Sequence, residues 1–498
     1  MRDTRPLHLI VIDGWHPALL QQERDRLPAF SFLAAAGALD LECVSTFPTV
    51  TPSALSTLVT GAMPSAHGIR GIMWYHREED RYVHYWPSHQ SLVMGTMPRV
   101  LRDIFVHLNG AHLSAATPTV FEVLEGAGLV CGNVNFPITR GACLHRATLP
   151  WPICWLAGMA PDLAVSGPRH CYLGDFVPMR GFGRQGLFGR FGINDDRAGD
   201  YGAAMIKRLR PDFSLVYLNE HDLRSHHAGP MGCAYSLSII DRQLAKLMDA
   251  YGSWEKAISE ARWILVGDHA QSPIGGVPGY AVNVLKAFKG LMVAPLAVGG
   301  LSARSADLAI APNDRSALIY LRDPGRLADV LEQVALWPSV DQIAWREGGG
   351  YCAMSAGSAR VVRWREGGAR RDPHGRAWDL SGDPAVLDVR LPALGRIDYR
   401  EYPDALSRLA DALDGGADVV ITARRGYEFT TGFTMGKGNH GSLAKEDSMV
   451  PLLTVGLPPL MAPARTSDVA HLVLAAFGLA SSPIAPFWRQ KWSSSVSG

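Results

Sequence analysis

The sequence carries almost no net charge: across 498 residues, 48 Lys+Arg face 47 Asp+Glu, a formal balance of +1. A balance so near zero argues against a nucleic-acid groove and against a polybasic membrane-surface protein. Cysteine is sparse and scattered, with seven residues at Cys43, Cys131, Cys143, Cys154, Cys171, Cys233 and Cys352. The number is odd and no Cys-x-x-Cys pair occurs, which argues against a disulfide framework and against a thiolate zinc cluster. No run approaches the roughly 20 apolar residues of a membrane span. The first apolar run, Leu7 to Ile12, is too short for a signal-peptide core and has no small-residue cleavage site behind it. The expectation is a cytoplasmic protein without a membrane span. Core material is plentiful, with 47% hydrophobic against 19% charged residues, so a disordered chain is excluded.

Apolar runs alternate with helical stretches along most of the chain. Leu7 to Ile12 reads as a buried parallel strand that stops at Asp13-Gly14. Helical stretches follow at Pro28 to Ala36 and Ala54 to Val59. Further strands are expected at Val130 to Phe136, Phe213 to Leu218, Trp263 to Val266, Val419 to Thr422 and Val450 to Val455. Helices are expected at Thr117 to Glu125, Tyr201 to Leu209, Ser236 to Tyr251 and Asp468 to Phe477. This alternation predicts an α/β fold with a mainly parallel central sheet between helices. Two regions break it. Trp151 to Ala198 is rich in Gly, Pro and aromatics and reads as an irregular insertion. Trp345 to Asp398 is rich in Gly and Arg and reads as a small cap subdomain. The expected organisation is therefore a catalytic core over 1–345 with an insertion near 151–198, a cap over 346–398, and the rest of the core over 399–498.

The residues able to do chemistry cluster where predicted strands end, the place where open α/β sheets bind ligands. Asp13, Asp268 and His269 each follow an apolar run, and Asp222 and His226 follow the run Phe213 to Leu218. Thr51 stands before a helix, where free N–H groups favour a phosphate. His440 lies in the glycine-rich Gly436-Lys437-Gly438-Asn439-His440-Gly441, which reads as a flexible loop. Each has a plainer explanation: a turn at Asp13-Gly14 or Asp268-His269, a helix cap at Thr51. Asp222 and His226 fit one helix face or a loop, and Gly229-Pro230 favours the loop. Together, however, three Asp, three His and one Thr form a donor set suited to Zn²⁺, with Mn²⁺ or Fe as alternatives. Two such ions can clamp the attacking and leaving oxygens of an in-line phosphoryl displacement. A metal would also activate the otherwise weak Thr51 nucleophile.

These residues stand in an order that resembles the type I phosphodiesterase/nucleotide pyrophosphatase branch of the alkaline phosphatase superfamily. The most specific segment runs from Phe47-Pro48-Thr49-Val50-Thr51-Pro52 through Thr60-Gly61 to Pro64-Ser65-Ala66-His67-Gly68-Ile69. Asp13-Gly14, Asp222-x-x-x-His226-x-x-Gly229-Pro230, Asp268-His269, and His440-Gly441-Ser442 with Glu446-Asp447-Ser448-x-Val450-Pro451 complete it. The resemblance implies an alkaline phosphatase-like fold. It implies one metal held by Asp13, Thr51, Asp268 and His269, and a second held by Asp222, His226 and His440. It also implies hydrolysis of a small-molecule phosphoric ester through Thr51, most simply a diester. The other readings on the same core are a phosphonate hydrolase, a phosphomonoesterase, a phosphomutase, or a ligand-binding pseudoenzyme. A sulfatase is disfavoured, because no Cys/Ser-x-Pro-x-Arg segment occurs at Thr51-Pro52-Ser53-Ala54-Leu55. Nucleotide pyrophosphatases usually carry an Asn shortly after the His-Gly-Ile. Here Arg70-Gly71-Ile72-Met73-Trp74-Tyr75 has none, which leaves Arg70 as the candidate substrate-binding residue.

Overall fold

The computed structural model describes residues 4–86, 91, 95–296, 305–392, 395–432, 434, 436–458 and 463–479. Most of its strands belong to two seven-stranded sheets. Six strands of the first come early in the chain: β1 (Leu7–Ile12), β2 (Gly37–Val44), β3 (Cys131–Val134), β4 (His170–Tyr172), β5 (Phe213–Leu218) and β6 (Arg262–Gly267). The second sheet takes β7 (Leu308–Asn313), β8 (Ser316–Leu321), β9 (Val340–Glu347), β10 (Gly350–Ser355), β11 (Val361–Arg371), β12 (Ala377–Gly382) and β13 (Val419–Ala423). The chain then returns to the first sheet with β14 (Met449–Val455).

The first sheet runs β2-β14-β6-β1-β5-β3-β4. From β6 to β4 all neighbours are parallel, and β14 and β2 close one side antiparallel. The parallel strands need cover on both faces, so β1, β5 and β6 are buried along their whole length. Alternate side chains of β1 enter different cores. Leu7, Leu9 and Val11 pack with Leu55 and Leu58 of helix α1 (Thr51–Thr60). Ile10 and Ile12 pack with Tyr201 and Met205 of α2 (Asp195–Arg208), and with Leu237 and Leu244 of α4 (Ala234–Asp249). In the chain, α3 (Glu220–Ala228) comes between these two helices. The α/β fold with a mainly parallel central sheet is as the alternation predicted.

The second sheet is antiparallel throughout, ordered β7-β8-β13-β9-β10-β11-β12. It shares the first core: Ala344, Val362, Trp364 and Trp378 join the cluster that holds Leu7 and Leu55. Here the structure differs from the sequence reading. The segment 346–398 is not set apart from its surroundings. Its strands β10, β11 and β12 continue a sheet that begins at Leu308, and the boundary at 345 falls inside β9. The outer face of β11 is a run of exposed Arg, Glu and Gly, which disguises the buried Trp364 beneath. Val419 to Thr422, expected as a strand, is one, and as β13 it sits between β8 and β9 of this second sheet. The irregular insertion is also partly ordered into the core: His170–Tyr172 is the edge strand β4, and α2 begins at Asp195. Residues 480–498 of the expected last core segment lie outside the described residues. Among the described residues no helix is long and apolar enough to cross a membrane.

Candidate functional site

Parallel register brings the predicted residues to one edge. Ile12 at the end of β1 pairs with Gly267 of β6 on one side and Leu218 of β5 on the other. The next residues out are therefore Asp13, then Asp268-His269, then the turn into α3. That helix carries Asp222 and His226 one turn apart, so the pair stands on a helix and not on the expected loop. Asn219 and Glu220 start it, and Gly229 ends it before Pro230 can disturb its hydrogen bonds.

Two groups of donors result. In the first, Nε2 of His269 lies 3.4 Å from Oδ1 of Asp13 and 3.6 Å from Oδ2 of Asp268. Thr51 Oγ1 stands 3.0 Å from the same nitrogen, at the first position of α1. In the second, Nε2 of His226 lies 3.2 Å from Oδ2 of Asp222, and Nε2 of His440 lies 3.8 Å from its Oδ1. The imidazoles of His269 and His440 stack at 3.8 Å and join the groups. His440 is not on a free loop: Gly438–Asn439 pairs with Ser272–Pro273, and the His440 carbonyl accepts from the Arg315 N–H at 2.8 Å.

Backbone carbonyls set the tautomers. Nδ1 of His226 faces the Gly438 carbonyl at 2.8 Å, Nδ1 of His440 faces that of Thr49 at 2.8 Å, and Nδ1 of His269 faces that of Ala270 at 3.2 Å. A carbonyl only accepts, so each Nδ1 carries a proton, and each Nε2 faces the carboxylates as the atom available to a metal. The carboxylates are prepared in the same way. Oδ2 of Asp13 accepts from the Tyr217 hydroxyl, and Oδ1 of Asp268 accepts from the N–H groups of Gly14 and His269. That leaves Oδ1 of Asp13 and Oδ2 of Asp268 buried without a hydrogen-bond donor, both facing His269. Orphaned buried carboxylate oxygens are costly. Two of them converging with a histidine lone pair are the donor set of a divalent cation, and the residues present fit one.

The electrostatics agree. Burial raises Asp13 well above the usual carboxylate range, and Asp268 and Asp222 push it further the same way. Burial also raises Asp268. Burial opposes ionisation of Asp222 too, but His226, His440 and His269 together hold it well below the usual range. Three carboxylates share one buried edge, and a bound dication reverses the repulsion among them.

Two residues at this edge were not singled out in the sequence. Tyr217 lies inside β5 and reads there as core. Gln271 donates through Nε2 to both the main-chain carbonyl and Oδ1 of Asp222. Nothing in the spacing marks it beyond its place two residues after His269. Arg70, expected to bind substrate, is not brought to the cluster. Its guanidinium lies 5.0 Å over the Trp74 ring and packs beside Gly416. His221, beside Asp222, is turned inward to the Ser236 hydroxyl.

A family model described as type I phosphodiesterase / nucleotide pyrophosphatase matches residues 7–443, which include all seven clustered residues. Among solved structures, murine ectonucleotide pyrophosphatase / phosphodiesterase 5 superposes with a TM-score of 0.58 at 13% sequence identity, covering 97% of this chain and 98% of that one. An inactive variant of the same murine protein, in complex with AMP, gives a TM-score of 0.58 at 13% identity and covers 98% and 99%. At that identity the likeness speaks for the fold, which is alkaline phosphatase-like. No curated protein matches the sequence.

Proposed function

Since the chain belongs to the type I phosphodiesterase / nucleotide pyrophosphatase family and is a phosphoric ester hydrolase, we propose that it cleaves phosphodiesters with Thr51 as nucleophile and two divalent metal ions as cofactors. The observation that carries this reading is the position of Thr51 Oγ1, 3.0 Å from His269 Nε2 and at the start of α1. Asp13, Thr51, Asp268 and His269 would hold one ion, and Asp222, His226 and His440 the other. The all-nitrogen-and-oxygen donor set favours zinc, with manganese second. Bound there, the ions supply Lewis-acid stabilisation of the phosphoryl oxygens and lower the pKa of the hydroxyl and of water.

The chain's own residues do the rest. Helix α1 presents N–H groups that have no partner inside the helix: Ala54 is the first whose N–H reaches back, to the Val50 carbonyl at 3.0 Å. The Thr51 and Ser53 N–H groups before it favour a phosphoryl oxygen, and Pro52 between them has none to leave unsatisfied. Attack by Thr51 Oγ1 forms an O–P bond as the bond to the leaving oxygen breaks, and the proton lost by the hydroxyl ends on that oxygen to give the alcohol. Water then cleaves the phosphothreonine ester, returns a proton to Thr51, and releases a phosphomonoester. The murine neighbour in complex with AMP favours a nucleotide ester among possible substrates. Against a strict nucleotide preference, no Asn follows Ile69 between Arg70 and Tyr75.

The test is hydrolysis of an aryl phosphodiester against the matching aryl monoester by metal-replete protein. Faster diester turnover is expected. Faster monoester turnover would move the protein to the phosphatase or mutase reading.

A further inference from the structure

Besides the two halves of the active site, a third group of potential ligands lies on a helix with unusual winding. Residues Asp103–His112 form a π-helix, and Asp103, His107 and His112 bring ligand atoms within 4.8 Å of one another. We propose that these three residues bind one divalent transition-metal ion of the zinc class, at a site separate from the catalytic edge.

The winding is the first argument. Nine residues separate Asp103 from His112. In an α-helix they make two and a half turns at about 3.6 residues each and put the two side chains on opposite faces. The wider i→i+5 winding takes about two turns for the same nine residues and puts both on one face, with His107 near them. Such winding is rare over more than one turn, and its effect here is to assemble this group.

The second argument is the orientation of the donors. Asp103 is buried, and its Oδ2 is held by Arg81 Nη1 at 3.0 Å and by the His84 N–H at 3.3 Å. That leaves Oδ1 toward His107, whose Nδ1 is 2.9 Å away. Nδ1 of His112 meets the Tyr85 hydroxyl at 2.7 Å, which leaves its Nε2 free. Carboxylate and imidazole ligands anchored through their second atom are the pattern a metal site needs. The His107 and His112 rings stand 5.4 Å apart, close to the 5.1 Å between His226 and His440.

Charge and access permit a cation. Arg81 is shared between Asp103 and Glu79, so the three charges sum to −1 before any metal binds. The His107 side chain is 35% exposed, which leaves a route in and a position for water. Two imidazoles and one carboxylate select zinc-class ions over calcium or magnesium. The bound ion would cross-link the two ends and the middle of the π-wound helix.

The experiment is zinc stoichiometry on the full chain, stripped with chelator, dialysed against zinc and assayed by elemental mass spectrometry. His107→Gln is the variant, because His107 is the most exposed ligand and the least costly to alter. It should retain one zinc ion fewer than the unaltered protein and hydrolyse phosphodiesters at the same rate. His107→Cys, which restores a ligand, should regain that ion. The readout is a difference of one ion, so it does not depend on how many ions the active site holds. Equal zinc content in the unaltered protein and His107→Gln overturns the proposal.

Discussion

A methyl group on Gly14 would lie 2.9 Å from Cα of Asp222 and 2.8 Å from its Oδ1. The turn after β1 and the helix that carries the second group of donors therefore touch through a residue with no side chain. Gly14 also sits at φ +67, where an L side chain is strained. Gly14→Ala should push α3 outward, separate Asp222 from Asp13, and lower phosphodiester kcat/KM by at least about tenfold. Strain and displacement together should cost roughly 1–3 kcal/mol of stability. Steady-state kinetics and thermal melts check both, and unaltered kinetics would contradict the close approach.

Gln271 orients Asp222 through its side-chain amide. Gln271→Leu removes that donor while keeping similar bulk. Residues that hold a metal ligand in place typically contribute about 10–100-fold in metal affinity. A fall of that order is expected in zinc competition against a coloured chelator, together with lost activity at limiting zinc. An unaltered affinity would remove Gln271 from the site.

Metal removal should act on stability as well as on turnover. The apo site leaves Asp13, Asp268 and Asp222 facing one another at a buried edge. Dialysis against chelator should abolish phosphodiester hydrolysis and lower the melting midpoint, and zinc or manganese should restore both. At metal a thousandfold above Kd the gain is about 4 kcal/mol. Scanning calorimetry with and without metal measures it.

Acid should destabilise the fold through two histidines away from the site. His8 is lowered to about 3 by burial and by Arg262, and lies between the Ser214 and Tyr251 hydroxyls at 2.6 Å each. Burial also lowers His67 to about 3, and its Nδ1 accepts from the Ile69 N–H at 3.1 Å. Both folded values lie below the unfolded 6.5, so each group's contribution is complete above pH 6.5 and is lost as pH falls toward 3. By about pH 4 each should cost on the order of 3 kcal/mol. Urea unfolding from pH 8 to pH 4 should show the decline. His67→Gln, which keeps an acceptor for Ile69 and a donor for Thr57, should flatten part of it.

The sequence makes the site more legible than its surroundings, for a physical reason. Asp13, Asp268 and His269 follow short buried strands, whose apolar runs are unmistakable, and parallel strands end at a common edge. Thr51 and His440 were visible as motif residues, but neither the stack of His269 on His440 nor the carbonyls behind each imidazole is written in any local pattern. Tyr217 looks like core because it is core, with only its hydroxyl reaching Asp13. Nothing in the local pattern around Arg70 announces its cation–π contact with Trp74. The second sheet was harder still. Its strand β11 exposes a run of Arg, Glu and Gly, and the run Val419 to Thr422 does not say which sheet it will join.

The central claim is that Thr51 is the nucleophile, and Thr51→Ala in metal-replete protein tests it most directly. The substitution removes one hydroxyl and one methyl at a helix start and leaves His269 and the carboxylates in place. The account predicts hydrolysis of an aryl phosphodiester reduced by at least about a thousandfold, roughly 4 kcal/mol of barrier, with bound metal lowered by no more than the loss of one ligand. Full turnover in Thr51→Ala would contradict it.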